Sequence, residues 1–134
     1  MTSIDTYAFD QCTNLTGITI PASLTPISGN GFSGLQSAIP VTLPPTVMAV
    51  AAYGFYNSSV SSITIPASVT SIGTSAMGSC NGLASVYMQG LTPPTLGAAA
   101  FTSPYPTIHV PNGAAVTAYQ ADPTWSVYGA IVTS

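Results

Sequence analysis

The chain has 134 residues and no Lys, Arg or Glu; Asp5, Asp10 and Asp122 carry its whole formal charge of −3, while 46% of residues are hydrophobic. That balance excludes a disordered chain, which pairs low hydrophobicity with high charge, and it excludes nucleic-acid and anionic-membrane binding, which draw on Lys and Arg. No apolar run reaches the ~20 residues of a membrane-spanning helix, residues 47–55 being the longest.

The length suits one domain. The opening Met1-Thr2-Ser3-Ile4-Asp5 lacks the positive n-region of a secretory signal. The expectation is therefore a mature chain, a piece of a longer one, or a protein that leaves its cell by another route.

In chain order, the first unit places Ile4 ahead of a turn, Ala8-Phe9-Asp10-Gln11-Cys12, and then the triplet Ile18-Thr19-Ile20 closed by Pro21. The second repeats this as Ile27, Phe32 and Val41-Thr42-Leu43-Pro44, and the third as Val50, Phe55 and Ile63-Thr64-Ile65-Pro66. The fourth carries Ile72, Met77 and Val86-Tyr87-Met88, and the fifth Leu96, Phe101 and Ile108-His109-Val110-Pro111. The triplets advance by 23, 22, 23 and 22 residues and the aromatic register by 23, 23, 22 and 24. Registers that advance together are the mark of a repeat architecture. Each triplet predicts a short strand with its outer two residues facing inward, and the Pro that follows stops the ladder. A second short extended stretch, such as Val69-Thr70-Ser71-Ile72-Gly73, precedes the aromatic turn. One unit cannot bury its apolar face alone, so the three registers and the triplet pairs are the predicted core.

After Pro111 the pattern changes. Asn112 suits an N-cap and the next residues a single short helix, which Asp122-Pro123 ends. Trp125, Val127, Tyr128 and Ile131 are then expected to cover the last unit. The N-terminal side has no such cover, because Met1 stands three residues before Ile4, so another copy, another protein or further chain is expected there.

The expected fold is mainly β: a right-handed leucine-rich-repeat solenoid of about five coils of 22–24 residues, with a short C-terminal helical cap. The coils run 1–23, 24–46, 47–68, 69–91 and 92–111, and the cap spans 112–134. Residues 63–73, with Ala76-Met77, Cys80, Leu83 and Val86, resemble the BspA-type leucine-rich repeats of bacterial and protist surface proteins, which also occur in phage and large-virus proteins. Pro93-Pro94-Thr95-Leu96-Gly97, Ala100-Phe101, residues 108–111 and Ala118-Tyr119 look like that family's usual terminal unit. The resemblance implies a role in adhesion and host contact and supplies no catalytic residues. The chain departs from the family in lacking Lys, Asp and Glu at exposed positions.

Candidate sites are few. Cys12 and Cys80 share a register three units apart, roughly 14 Å at one strand spacing per unit and beyond disulfide reach. They are expected as buried, unpaired thiols. His109, the one histidine, has no nearby nucleophile and acid to form a catalytic set. Asp5 and Asp10 fall short of the 6–8 oxygen ligands of a calcium site. No catalytic, cofactor or metal site is expected, and no cofactor. The most site-like feature is the outward row Thr19, Thr42, Thr64, Tyr87 and His109, where Tyr87 and His109 offer stacking and hydrogen bonds to a glycan or protein. β-branched polar residues also suit any exposed strand. Sequons at Asn14-Leu15-Thr16 and Asn57-Ser58-Ser59 are expected by accident in a chain this rich in Ser and Thr.

The favoured reading is a non-catalytic structural or interaction protein on a particle surface, such as a phage decoration or fibre component. Its partners would be other protein subunits, its own copies or a particle scaffold, at the uncapped N-terminal end. The alternative is the terminal module of a BspA-like bacterial adhesin that binds a host protein or glycan. An ice-binding solenoid is a third reading, weakened because Tyr87 and His109 break the Thr row. The expected location is a virion or extracellular surface, without membrane insertion.

Overall fold

The computed structural model describes residues 4–24, 26–102, 104–128 and 130–134. Two parallel sheets take the strands alternately. Four two-residue strands, β1 (Pro26–Ile27), β3 (Ala49–Val50), β5 (Ser71–Ile72) and β7 (Thr95–Leu96), pair in sequence order. The second sheet runs β2 (Pro40–Thr42), β4 (Ser62–Ile65), β6 (Ser85–Met88), β8 (Thr107–Val110) and β9 (Ile131–Thr133). Its pairing puts like on like: Val41 faces Ile63, Ile63 faces Val86, and Val86 faces Ile108. Ile27, Val50, Ile72 and Leu96 align the same way in the first sheet. The 22–24-residue period is thus the distance along the chain from one rung to the next.

The aromatic register forms a third column. Phe9 stacks on Phe32 at 5.1 Å and Phe32 on Phe55 at 4.9 Å, with ring planes within 11° of parallel. Met77 bridges to Phe101, which meets Trp125 and Tyr128 at 5.9 and 5.2 Å. The backbone beside this column is unusual. Tyr7, Asn30, Tyr53, Ser75 and Ala99, each two residues before the column residue, have φ between 52° and 60°. Gln11, Gly34, Asn57 and Ser79, each two residues after it, are also left-handed. This conformation costs a non-glycine residue roughly 1–2 kcal/mol. The return is a ladder at the corner: Tyr7, Tyr53 and Ser75 donate N–H groups to Asn30, Thr74 and Ala98 at 2.9–3.0 Å, and Gln11 and Asn57 donate to Gly34 and Gly78. The corner backbone therefore stays hydrogen-bonded from repeat to repeat.

The core is apolar and continuous, from Leu24 and Ile27 to Trp125 and Ile131. Its few buried hydroxyls are satisfied: Ser33 donates to the Tyr56 carbonyl, Ser37 to Cys12, and Ser58 pairs with Cys80. Helix α1 (Gly113–Ala121) begins at Asn112, whose side chain accepts from the Ala115 N–H at 3.0 Å, and it ends at Asp122. Trp125, Tyr128 and Ile131 are buried against the last repeat.

Several expectations need correction. Ile18-Thr19-Ile20 is not a strand. Ser61 and Ala84 donate N–H groups to the preceding repeat, at Ile39 and Ser61, but the equivalent Ile39 N–H turns back to Ser37 in its own repeat. Pro40 beside it has no N–H to offer, so the ladder stops at β2. Ile4, Phe9, Ile18 and Leu96, expected in the core, are only partly buried. Val127 is 63% exposed and covers nothing. Last, the tail does more than cover: β9 pairs in parallel with β8 and adds a rung to the sheet. That rung went unforeseen.

Candidate functional site

The outward face of the second sheet follows from strand alternation. With Val41, Ile63, Val86 and Ile108 buried, the residues between the inward ones must face out. Thr42, Thr64, Tyr87 and His109 are in direct register, and Val132 of β9 continues the row beside His109. Thr42 and Tyr87 are exposed, and Thr64 and His109 are half-buried. The structure thus brings four of the five candidate residues into one row. Thr19 is exposed but lies outside any strand. Val132, 38% exposed, was missed by sequence reasoning because no repeat register reaches it.

Within the row the rings of Tyr87 and His109 stack, with centroids 4.6 Å apart and planes 19° from parallel. Such a pair contributes about 0.5–1.5 kcal/mol beyond its buried area and fixes both side chains. Beside it lies an open groove of about 470 Å³ lined by Thr64, Tyr87, Met88, Gln89, Pro111 and Ser134. Hydroxyls, an amide and a phenol supply its polar groups. None of the lining side chains is Asp, Glu, Lys, Arg or His, so it suits a neutral or weakly polar surface.

The remaining candidates sit apart from this row. The Cys80 thiol donates to the Phe55 carbonyl at 3.0 Å and pairs with Ser58 at 3.3 Å. Burial pushes its pKa above the ordinary thiol value, and the Ser58 bonds oppose this only in part. It is an inert core thiol. Cys12 is also free but half-buried, not buried as expected, since among the described residues only the second repeat packs on the first. The Asp122 carboxylate accepts from the Thr124 hydroxyl at 2.6 Å, the Thr124 N–H at 2.8 Å and the Trp125 N–H at 3.3 Å. The Thr124 hydroxyl is the main cause of its lowered pKa. It closes the helix and does not orient His109. Among the described residues, no three His, Cys, Asp or Glu side chains gather where a metal would bind. No helix among them is long and apolar enough to cross a membrane.

No curated protein matches the sequence. A family model described as "BspA type Leucine rich repeat region (6 copies)" matches residues 2–114. Rungs in register, an aromatic column through the corner and a match over most of the length agree, and the chain belongs to the BspA-type leucine-rich repeat family.

Proposed function

We propose that this chain is a non-catalytic structural and interaction protein carried on the outside of a virion or comparable particle. In this reading residues 1–111 wind as a right-handed solenoid of about five coils and residues 112–134 close one end. The row Thr42, Thr64, Tyr87 and His109 is the recognition face, and a neighbouring subunit covers the first repeat.

Membership of the family supports the general part, since such repeats work through protein–protein contact and are typically found at surfaces. The observation that carries the specific part is the stacked Tyr87–His109 pair on a sheet face without Asp, Glu, Lys or Arg. A rigid aromatic pair held in half-exposed register is a costly thing to leave in water, and aromatic residues are enriched where proteins meet. The partly buried Phe9, Cys12 and Ile18 support a second contact, because their counterparts Phe32, Leu35 and Val41 are fully buried. The family setting also favours a second reading, an adhesin module whose Tyr87–His109 face takes a host protein or glycan.

Sedimentation of the purified chain across a concentration series tests the particle reading. The expected result is a defined oligomer that Ile18→Asp disperses. A folded monomer at every concentration would overturn it in favour of the adhesin module. Tyr87→Ser with His109→Ser tests the face in either case, and binding to the partner that survives this double change would remove the face from the proposal.

A further inference from the structure

The corner that carries the aromatic column presents a second surface with no part in the reading above. Three tyrosines stand in solvent there: Tyr7 at 53% exposure, Tyr53 at 41% and Tyr56 at 36%. Tyr7 and Tyr53 hold the same register position two repeats apart, about 10 Å at one strand spacing per repeat. Both are left-handed, with φ of 59° and 60°, in a column otherwise made of Asn30, Ser75 and Ala99. A bulky side chain at such a position adds strain that Asn or Gly would avoid. Its ring also stays in water, so neither local conformation nor burial accounts for tyrosine there. An observed backbone outlier of this kind is a pointer to function.

The third ring is positioned as well. Tyr56 lies against Gly78, where a Cβ would come within 3.2 Å of the ring. Tyr53 meets Tyr56 edge-on, with centroids 5.3 Å apart and planes at 76°.

Two of the three charges of the chain, Asp5 and Asp10, share the turn that carries Tyr7. Hydrogen-bonded turns tie Asp5 and Asp10 to Tyr7, the Ala8 N–H donating to the Asp5 carbonyl at 3.1 Å and the Asp10 N–H to the Tyr7 carbonyl at 3.0 Å. The Asp10 carboxylate lies over Gly34 in the next repeat, in the space a Cβ would need. The Gly34 N–H is in turn bonded to the Tyr56 carbonyl at 3.0 Å. Asp10 follows Phe9 as Tyr56 follows Phe55, so the two hold the same register position two repeats apart. The chain contains no Lys or Arg to meet these carboxylates. Any Lys or Arg that pairs with them has to come from outside this sequence. Aromatic faces beside carboxylates are the arrangement that takes guanidinium and ammonium groups.

We propose that the corner formed by Tyr7, Asp10, Tyr53 and Tyr56 docks a basic segment of a partner protein, its Arg or Lys side chains lying on the tyrosine rings and pairing with Asp5 and Asp10. The proposal does not depend on the Tyr87–His109 face, and its test does not touch that face.

The test is a titration of the full chain with a hexaarginine peptide, with hexaserine as control, followed by tyrosine fluorescence at low and physiological ionic strength. Saturable binding of hexaarginine alone is expected. Tyr7→Asn with Tyr53→Asn should weaken it at least about tenfold, the loss of two cation–π contacts. Asn accepts the left-handed backbone, so this variant should keep its fold; the single change Tyr56→Ser serves the same purpose if it does not. Asp10→Asn should weaken binding and flatten its salt dependence, and Asp122→Asn should leave it unchanged. Absence of saturable binding would overturn the proposal. Equal losses from Asp122→Asn and Asp10→Asn, or equal binding of hexaserine, would do the same by reducing the effect to general attraction or general stickiness.

Discussion

At the scale of single residues, backbone shape outweighs side-chain chemistry in several places. A Cβ on Gly73 would stand 2.4 Å from the Ala52 backbone nitrogen, and one on Gly97 within 2.3 Å of Thr74. Backbone cannot move aside as a side-chain tip can. Gly73→Ala should therefore lower stability by roughly 1–3 kcal/mol, the usual range for overpacking, read as a shifted urea midpoint. Two residues on, Ser75 is left-handed at φ 52°. Ser75→Gly removes that strain and keeps the N–H bond to Ala98, so it should stabilise by about 0.5–1 kcal/mol after the extra freedom of an unfolded glycine is subtracted. None of this could be seen in the sequence. Gly34 apart, the left-handed columns are filled by Tyr, Asn, Ser, Gln and Ala, and among these only Asn30 sits in a recognisable turn pair, Asn30-Gly31.

Tyr119 gives a second test at this scale. It is buried beneath the last repeat, its hydroxyl donates to the Gly90 carbonyl at 3.3 Å, and burial pushes its pKa up from 10.0 to about 12. The folded form keeps the proton longer than the unfolded chain. The stabilisation is complete below pH 10 and is lost as pH rises from 10 toward 12, by up to about 1.4 kcal/mol per pH unit. Cys80, also raised by burial, adds loss in the same direction above pH 9. Urea midpoints measured from neutral to alkaline pH should fall along this course, and Tyr119→Phe should flatten the part above pH 10.

At the scale of elements, the cap is the least repetitive part of the chain. Asn112→Ala removes the acceptor for the Ala115 N–H and should cost about 1 kcal/mol. Trp125 is fully buried, meets Phe101 and Tyr119, and donates its indole N–H to the Pro94 carbonyl at 2.9 Å. Trp125→Ala should cost about 3–5 kcal/mol, and calorimetry on the two variants would rank them. The helix was legible because Asn112 and Asp122-Pro123 punctuate it. Strand β9 was not, because Ile131-Val132-Thr133 lies outside the repeat period and takes its partner from tertiary packing alone. The first triplet shows the reverse case: Ile18-Thr19-Ile20 has the pattern of Ile63-Thr64-Ile65, yet the Ile39 N–H is spent within its own repeat. Pattern specifies which face turns inward; a ladder also needs a partner.

At the scale of the molecule, each repeat is held by its neighbours, so stability is a local sum and not one uniform quantity. Repeats with neighbours on both sides should outlast the first, where Phe9, Cys12, Leu15 and Ile18 are only partly buried. Amide hydrogen exchange should accordingly be fastest in the first repeat and slowest in β4, β6 and β8, and uniform protection would show that the chain opens as a single unit. The rows and columns of the fold were readable because three registers advance together. The Thr42–Thr64–Tyr87–His109 row could be read from the same alternation, whereas the tyrosine corner could not, since its exposure follows from left-handed turns.

The in-register pairing also bears on how such a chain changes length over generations. Ile18-Thr19-Ile20-Pro21-Ala22-Ser23 and Ile63-Thr64-Ile65-Pro66-Ala67-Ser68 are identical and stand two repeats apart. Recombination between the coding segments would delete or duplicate two whole repeats at a stroke. Every surviving rung would still meet a rung of matching register, so the gene can lengthen or shorten the molecule without redesigning its core.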